Sequence, residues 1–301
     1  MMLNFDLDTV ITTEFGVGYE DAEGQAYCCI SVDGDVQDAL QDMAVATWNS
    51  MKDITINPDR YDPSEKYSSF EHVFLPLDDN LAQTFRDVHG ASNLEINNTA
   101  LDEPSFIYSY FALFTDSQGR HLTAIRRASQ FKGVLKKRLI RFSTDAMKII
   151  EDNVFKLDND FDLLIDSTKI HILRPSGFEF VGELRDAVLA SVQQNINAIR
   201  PNLSFVDFAG IESYASTHSR AARYLASIKS QRETENIDKN ALLDLCNRTG
   251  VEVNDTNGTV TVEDLHVMGF LEVLDRRRYE INLVTESPEQ YRAASRQKID
   301  N

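Results

Sequence analysis

Apolar positions alternate or run together most densely between Phe106 and Val181, and this stretch predicts the sheet that orders the fold. Ile107, Tyr108, Tyr110, Phe111, Leu113, Phe114 and Thr115 are mostly β-branched or aromatic, the types that suit a pleated, half-buried surface. Asp116-Ser117-Gln118-Gly119 follows as a turn of hairpin length. Leu122, Thr123, Ala124 and Ile125 carry the chain back. Farther on, Phe161, Leu163 and Ile165 alternate with Asp162, Leu164 and Asp166. Ser167-Thr168-Lys169 turns the chain into Ile170, Ile172 and Leu173. Arg174-Pro175-Ser176-Gly177 is expected to stop that strand, because proline lacks a ladder donor and glycine frees the backbone.

Upstream, Phe5 to Thr13 and Tyr27 to Val32 read as strands, with Gly16-Val17-Gly18 as a turn between them. Asp33-Gly34-Asp35 caps a helix from about Val36 to Met51, whose face of Ala39, Leu40, Met43, Ala44, Thr47 and Trp48 predicts burial. Asn57 to Ser69 reads as a loop, Glu71 to Leu77 as a short strand and Leu81 to His89 as a helix. Beyond Val181 the period changes to that of helices. Gly182 to Ile199, Tyr214 to Arg232, Lys239 to Arg248 and Glu263 to Leu274 carry helical stripes. Gly250 closes the third of these, and Asn257-Gly258 signals a hairpin. Tyr279 to Val284 is expected to be a strand that returns to a sheet. The class is therefore α+β, in three regions. Residues 1–104 form an N-terminal α/β region, 105–181 a central sheet region with a basic segment, and 182–301 a mainly helical region with a final strand.

Charge changes the picture. The 301 residues carry a formal net charge of −18. From Arg126 to Lys148 eight Lys or Arg face one acid, Asp145, so this segment is +7 and the remainder −25. A local cationic island on an acidic body can hold a phosphate backbone while the body resists indiscriminate association. The same run also fits a solvated basic face, or one paired with the protein's own carboxylates. Between the hairpins, residues 129–148 suit a loop or short helical turn bearing Lys132, Lys136 and Lys137, then a strand from Arg138 to Phe142. Lys132, Lys136, Lys137, Arg138 and Arg141, with Arg126 and Arg127 at the root, are the candidate phosphate contacts. Arg276-Arg277-Arg278 forms a second basic patch. In the helix from Tyr214 to Arg232, Arg220, Arg223 and Lys229 can share a broad face.

Other chemistry is mostly excluded. Asp158-Asn159-Asp160-Phe161-Asp162 starts like a calcium loop, but Leu163 stands where the turn glycine belongs and Lys169 where the bidentate glutamate belongs. Asp162 and Asp166 could instead serve a metal-dependent nuclease, which needs convergent carboxylates. The six histidines form no zinc pattern, and no P-loop is present. Cofactors are therefore expected to be none. Three cysteines, two of them adjacent at Cys28 and Cys29, suit a reducing cytoplasm. No run approaches the length of a membrane span.

The segments Phe155 to Asp166 (FKLDNDFDLLID), Ile170 to Glu179 (IHILRPSGFE) and Gly269 to Tyr279 (GFLEVLDRRRY) resemble the KwaB-like family of the Kiwa anti-phage defence system. The likeness runs from about Phe106 to the C-terminus. It implies an effector that binds DNA, works with a membrane-embedded KwaA-like partner at the inner face of the membrane, and forms a homo-oligomer. It implies no catalytic residues. A metal-dependent nuclease and a non-catalytic assembly module whose basic patch docks on protein stand as alternatives.

Overall fold

The computed structural model describes residues 3–21, 24–90, 94–98, 107–128, 140–142, 147–149, 156–232, 236–283 and 288–293. The chain divides into two compact units. One comprises residues 1–61 and 67–184, the other residues 62–66 and 185–301.

The first unit is built on an eight-stranded sheet of β1 (Val10–Asp21), β2 (Gly24–Ile30), β3 (Asp59–Arg60), β4 (Val73–Pro76), β5 (Ile107–Asp116), β6 (His121–Arg127), β9 (Leu163–Ile165) and β10 (Lys169–Ile172). Their order across the sheet is β2-β1-β5-β6-β9-β10-β4-β3. Strands from the N-terminal and central regions thus share one sheet. All pairings are antiparallel except β3 with β4. Both expected central hairpins are present. In the first, Asp116 Oδ1 accepts from the Gln118 and Arg120 backbone N–H groups at 2.9 and 3.0 Å, which closes the turn.

Alternation along β5 explains how the sheet is covered. Tyr110, Ala112 and Phe114 join the core that includes Leu40, Met43 and Met51 of helix α1 (Gly34–Ile54). Phe111 and Leu113 turn to the opposite face, where Phe85 and Val88 of α2 (Gln83–His89) and Phe178 and Val181 of α3 (Pro175–Val181) pack. Burial on both faces is why the strands read as near-continuous apolar runs. The Asp33 side chain caps α1 by accepting from Val36 N at 3.1 Å.

Two local expectations change. Gly16-Val17-Gly18 is no turn but the middle of β1. A Cβ on Gly16 would lie 2.2 Å from Phe111 Cζ and 2.7 Å from the Cys28 carbonyl oxygen, so glycine there admits the neighbouring ring. Arg174-Pro175-Ser176-Gly177 does end β10, but Pro175 also opens α3 at its first turn, where a missing N–H is no loss.

The second unit is helical: α4 (Arg185–Ala190), α5 (Val192–Ile199), α6 (Ala209–Ala215), α7 (Ser219–Arg232), α8 (Lys239–Arg248) and α9 (Asp264–Leu274). These helices share one apolar core in which Ile196, Ile211, Leu225, Phe270 and Leu271 are fully buried. Two stripes that looked continuous are each interrupted. Ser191 Oγ donates to the Val188 carbonyl at 2.7 Å where α4 gives way to α5, and Thr217 Oγ1 donates to the Tyr214 carbonyl at 3.1 Å after α6. Such hydroxyl bonds compete with the helical ladder. The expected hairpin joins β11 (Asn254–Thr256) to β12 (Thr259–Thr261), with positive φ at both Asn257 and Gly258 as a primed two-residue turn requires. The late strand β13 (Arg278–Ile281) does not join the large sheet. It pairs with β14 (Glu289–Arg292) in a ladder of its own. Among the described residues no helix is long and apolar enough to cross a membrane.

Candidate nucleic-acid interface

Arg126 and Arg127 close β6 and open the basic segment. Arg126 is mostly shielded from solvent, at 14 % side-chain exposure. Its Nε donates to Asp158 at 3.1 Å, and one terminal nitrogen donates to Asp162 at 2.8 Å and to Asp160 at 3.3 Å. Arg174 reaches the same acids from the residue before α3. One of its terminal nitrogens donates to both Asp160 oxygens at 2.6 and 2.7 Å, and the other to the Phe161 carbonyl at 2.9 Å. Asp162 also accepts from the Arg127 backbone N–H at 2.9 Å. A Cβ on Gly177 would fall 2.2 Å from Asp162 Oδ2, so glycine lets α3 close over the carboxylate. Burial pulls the Arg126 pKa down, but Asp162 and Asp158 outweigh it and leave it raised.

The run of acids from Asp158 to Asp162 is therefore a clamp on two arginines. Of the candidate phosphate contacts, Arg126 is held inside this ionic network. The guanidinium of Arg127 lies 3.8 Å over the Phe180 ring, and its buried Nε has no hydrogen-bond partner among the described residues. Arg141 lies in β7 (Ile140–Phe142), which pairs with β8 (Met147–Ile149) in a separate two-stranded ladder where Arg141 is the register partner of Lys148. This β7 covers part of the strand expected from Arg138 to Phe142. Lys132, Lys136, Lys137 and Arg138 lie outside the described residues.

Asp162 and Asp166 flank β9 at opposite ends, and each already has its own donors. Asp166 accepts from the Asn4, Thr168 and Lys169 backbone N–H groups at 3.0, 2.8 and 2.9 Å, and its Oδ2 lies 3.2 Å from His171 Nε2. Among the described residues no group of three or more His, Cys, Asp or Glu is placed to hold a metal ion. In the second basic patch, Arg277 pairs with Asp275 and Arg278 with Glu272.

Beside Asp166 sits a buried aromatic group that the scattered histidine spacing did not reveal. The His171 ring meets Trp48 edge-on at 5.3 Å, and His72 lies 6.1 Å from His171. His72 Nδ1 faces the Met51 and Thr55 carbonyls at 3.0 and 3.1 Å, which assigns its proton to that nitrogen. Burial lowers the His72 pKa from its ordinary value of 6.5, and it lowers His89 in the same way. Between the depressed folded value and 6.5 the unfolded chain binds protons that the folded chain refuses. Stability is thus full above pH 6.5 and falls as pH drops below it. Burial alone would raise Asp166, but the hydrogen bonds from His171, Asn4 and Thr168 outweigh it and hold that carboxyl well below the usual range. Its contribution is lost in a second window, below about pH 4. Urea midpoints measured from pH 7.5 down to about pH 2 are expected to fall in these two steps, and a flat profile from about 7.5 to 5 would remove the histidine step.

Three comparisons with known proteins complete the description. A family model described as Kiwa protein KwaB-like matches residues 109–283, more than half of the chain. No curated protein gives a significant match, and no solved structure does.

Proposed function

The chain belongs to the Kiwa protein KwaB-like family, and on that premise we propose that it binds DNA through residues 126–148 as an effector of Kiwa anti-phage defence. Family membership itself associates the chain with Kiwa anti-phage defence. In the proposal, Lys132, Lys136, Lys137, Arg138 and Arg141 make sequence-independent phosphate contacts. Arg126 anchors the root of the segment, and Arg127 beside it faces the same polyanion. A membrane-embedded KwaA-like protein brings a homo-oligomer of the chain to the inner face of the membrane.

The observation that carries this reading is the segregation of charge, +7 in 23 residues against −25 in the rest. One feature supports it. The acids that Arg126 meets, Asp158, Asp160 and Asp162, are shared with Arg174, so their charge is already engaged.

Fluorescence anisotropy with a labelled duplex, titrated with salt, tests the proposal. Affinity is expected to fall steeply with salt. In a variant carrying Lys136→Glu, Lys137→Glu and Arg138→Glu, binding is expected to collapse, with the log–log salt slope smaller by about 3, near one per phosphate contact removed. Unchanged affinity in that variant would overturn the assignment. Plasmid incubated with Mg²⁺ or Mn²⁺ is expected to shift and stay intact, and nicking would instead favour a nuclease.

A further inference from the structure

Two large apolar rings stand in solvent at one end of the sheet in the first unit. Phe180 is 42 % exposed and Phe70 54 %. Helix α3 packs Phe178 and Val181 into the core, and two residues turn a helix by about 200°, so Phe180 faces outward. Phe70 is held out by its own turn. Ser68 Oγ donates to the Phe70 carbonyl at 2.6 Å, and the Ser68 backbone N–H and hydroxyl both donate to Glu71, at 2.6 and 3.1 Å. The Glu71 backbone N–H donates to the Leu173 carbonyl at 3.0 Å, which fixes this turn beside the end of β10. Neither ring belongs to an apolar core among the described residues, so burial does not account for them.

A guanidinium lies on each ring. Arg127 sits 3.8 Å from the centre of Phe180, and Arg174 sits 4.3 Å from the centre of Phe70. One carboxylate ties the two pairs together. Asp162 accepts from the Arg127 backbone N–H at 2.9 Å and lies 3.6 Å from the Arg174 guanidinium. With one face of each ring covered by its arginine, the exposure that remains belongs to the edge and the opposite face. Three arginines, Arg126, Arg127 and Arg174, stand against three acids, Asp158, Asp160 and Asp162, so this clamp carries no surplus charge.

A flat ring backed by a guanidinium, on a charge-balanced surface, suits a flat neutral partner better than a phosphate. Positive charge lies in the chain that continues from Arg127. From Ala128 to Lys148 six Lys or Arg face one acid, Asp145. A nucleic-acid strand meets both demands, because its bases stack on aromatic rings while its phosphates go to nearby cations. In a duplex the faces of a base are taken by its neighbours, so a base must leave the stack to lie on a protein ring. We propose that Phe70 and Phe180 stack unpaired bases, and that the polymer this chain prefers is single-stranded DNA. It rests on the DNA reading above: residues 126–148 hold the phosphates, and the two rings select the form of the strand.

Fluorescence anisotropy on the full chain tests it with three labelled probes of equal length: oligothymidine, an abasic strand with the same phosphates, and a duplex. Oligothymidine is expected to bind more tightly than either, despite the denser phosphates of the duplex. Phe180→Ala is expected to weaken oligothymidine binding about tenfold, the scale of one lost stack, and the double variant Phe70→Ala, Phe180→Ala to weaken it further. The duplex and the abasic strand should not respond. The log–log salt slope for oligothymidine should stay the same, since the rings carry no charge. Both rings are exposed, so the melting temperatures of parent and variants should match and separate lost stacking from lost folding. Phe180→Trp, which keeps a stacking face, should retain the affinity. Equal affinity of parent and double variant for oligothymidine, or an abasic strand bound as tightly as oligothymidine, would overturn the stacking. A duplex bound as tightly as oligothymidine would overturn the single strand. The DNA reading fails separately: there the Lys136→Glu, Lys137→Glu, Arg138→Glu variant keeps the parent's affinity for every probe, whereas here that variant loses binding and the ring variants do not.

Discussion

Asp162→Ala is expected to lower the free energy of unfolding by about 3–5 kcal/mol, the usual effect of removing one partner from a buried ion pair. Asp162 is 3 % exposed and stands between two arginines. Its loss leaves the Arg126 nitrogen that now donates at 2.8 Å without its nearest acceptor, and it strips the Arg127 backbone N–H of its acceptor at 2.9 Å. Asp158 and Asp160 remain beside the guanidiniums, so their charge is not wholly abandoned and the lower end of the range is the better expectation. The vacated space would also sit beneath Gly177, where α3 closes over the carboxylate. Urea denaturation with an unchanged m-value measures the effect. A loss below 1 kcal/mol would show that solvent screens the network as it screens surface pairs.

Phe178→Ala is expected to cost about 3–5 kcal/mol by a different route, the opening of a cavity in a close-packed core. Phe178 is fully buried. Its ring stacks on Phe85 at 4.8 Å and 12°, and meets Tyr61 edge-on at 4.9 Å. The surroundings have little room to collapse into the space: a Cβ on nearby Gly182 would already lie 2.8 Å from Phe85. Phe178→Leu, which keeps most of the volume, is expected to cost less than about 1.5 kcal/mol. Equal losses for the two variants would mean that ring shape, not volume, sets the stability of this layer.

These two positions show how unevenly the sequence reveals the fold. The β5–β6 and β9–β10 hairpins were legible because strand period and turn residues agree locally, as at Asp116 to Gly119. The cap at Asp33 and the turn at Asn257-Gly258 were legible for the same reason. Gly16 and Gly18 misled, because the partners that require glycine, Phe111 beside Gly16 and Ser109 beside Gly18, lie far along the chain. The long helical stripes misled at Ser191 and Thr217, where a single hydroxyl turns onto the backbone without disturbing the apolar period.

The candidate sites divide in the same way. A surplus of positive charge between Arg126 and Lys148 can be counted directly from the sequence, and so can the triple arginine at 276–278. Whether a given cation is spoken for cannot be counted. Arg126 and Arg174 meet the acids of 158–162 only because β6, β9 and α3 converge on one end of the sheet. Phe70 and Phe180 can be read off the sequence as aromatic, but nothing in their spacing brings Arg174 and Arg127 onto their rings.

By itself the sequence determined the α+β class, the local turns and caps, the charge imbalance and the family likeness, since each depends on residues close in the chain or on simple totals. Only the tertiary structure decided the strand order, which carboxylates clamp which arginines, and which arginines back the exposed rings. Those depend on contacts between distant segments, whose energies come from burial and partner geometry that no local pattern encodes.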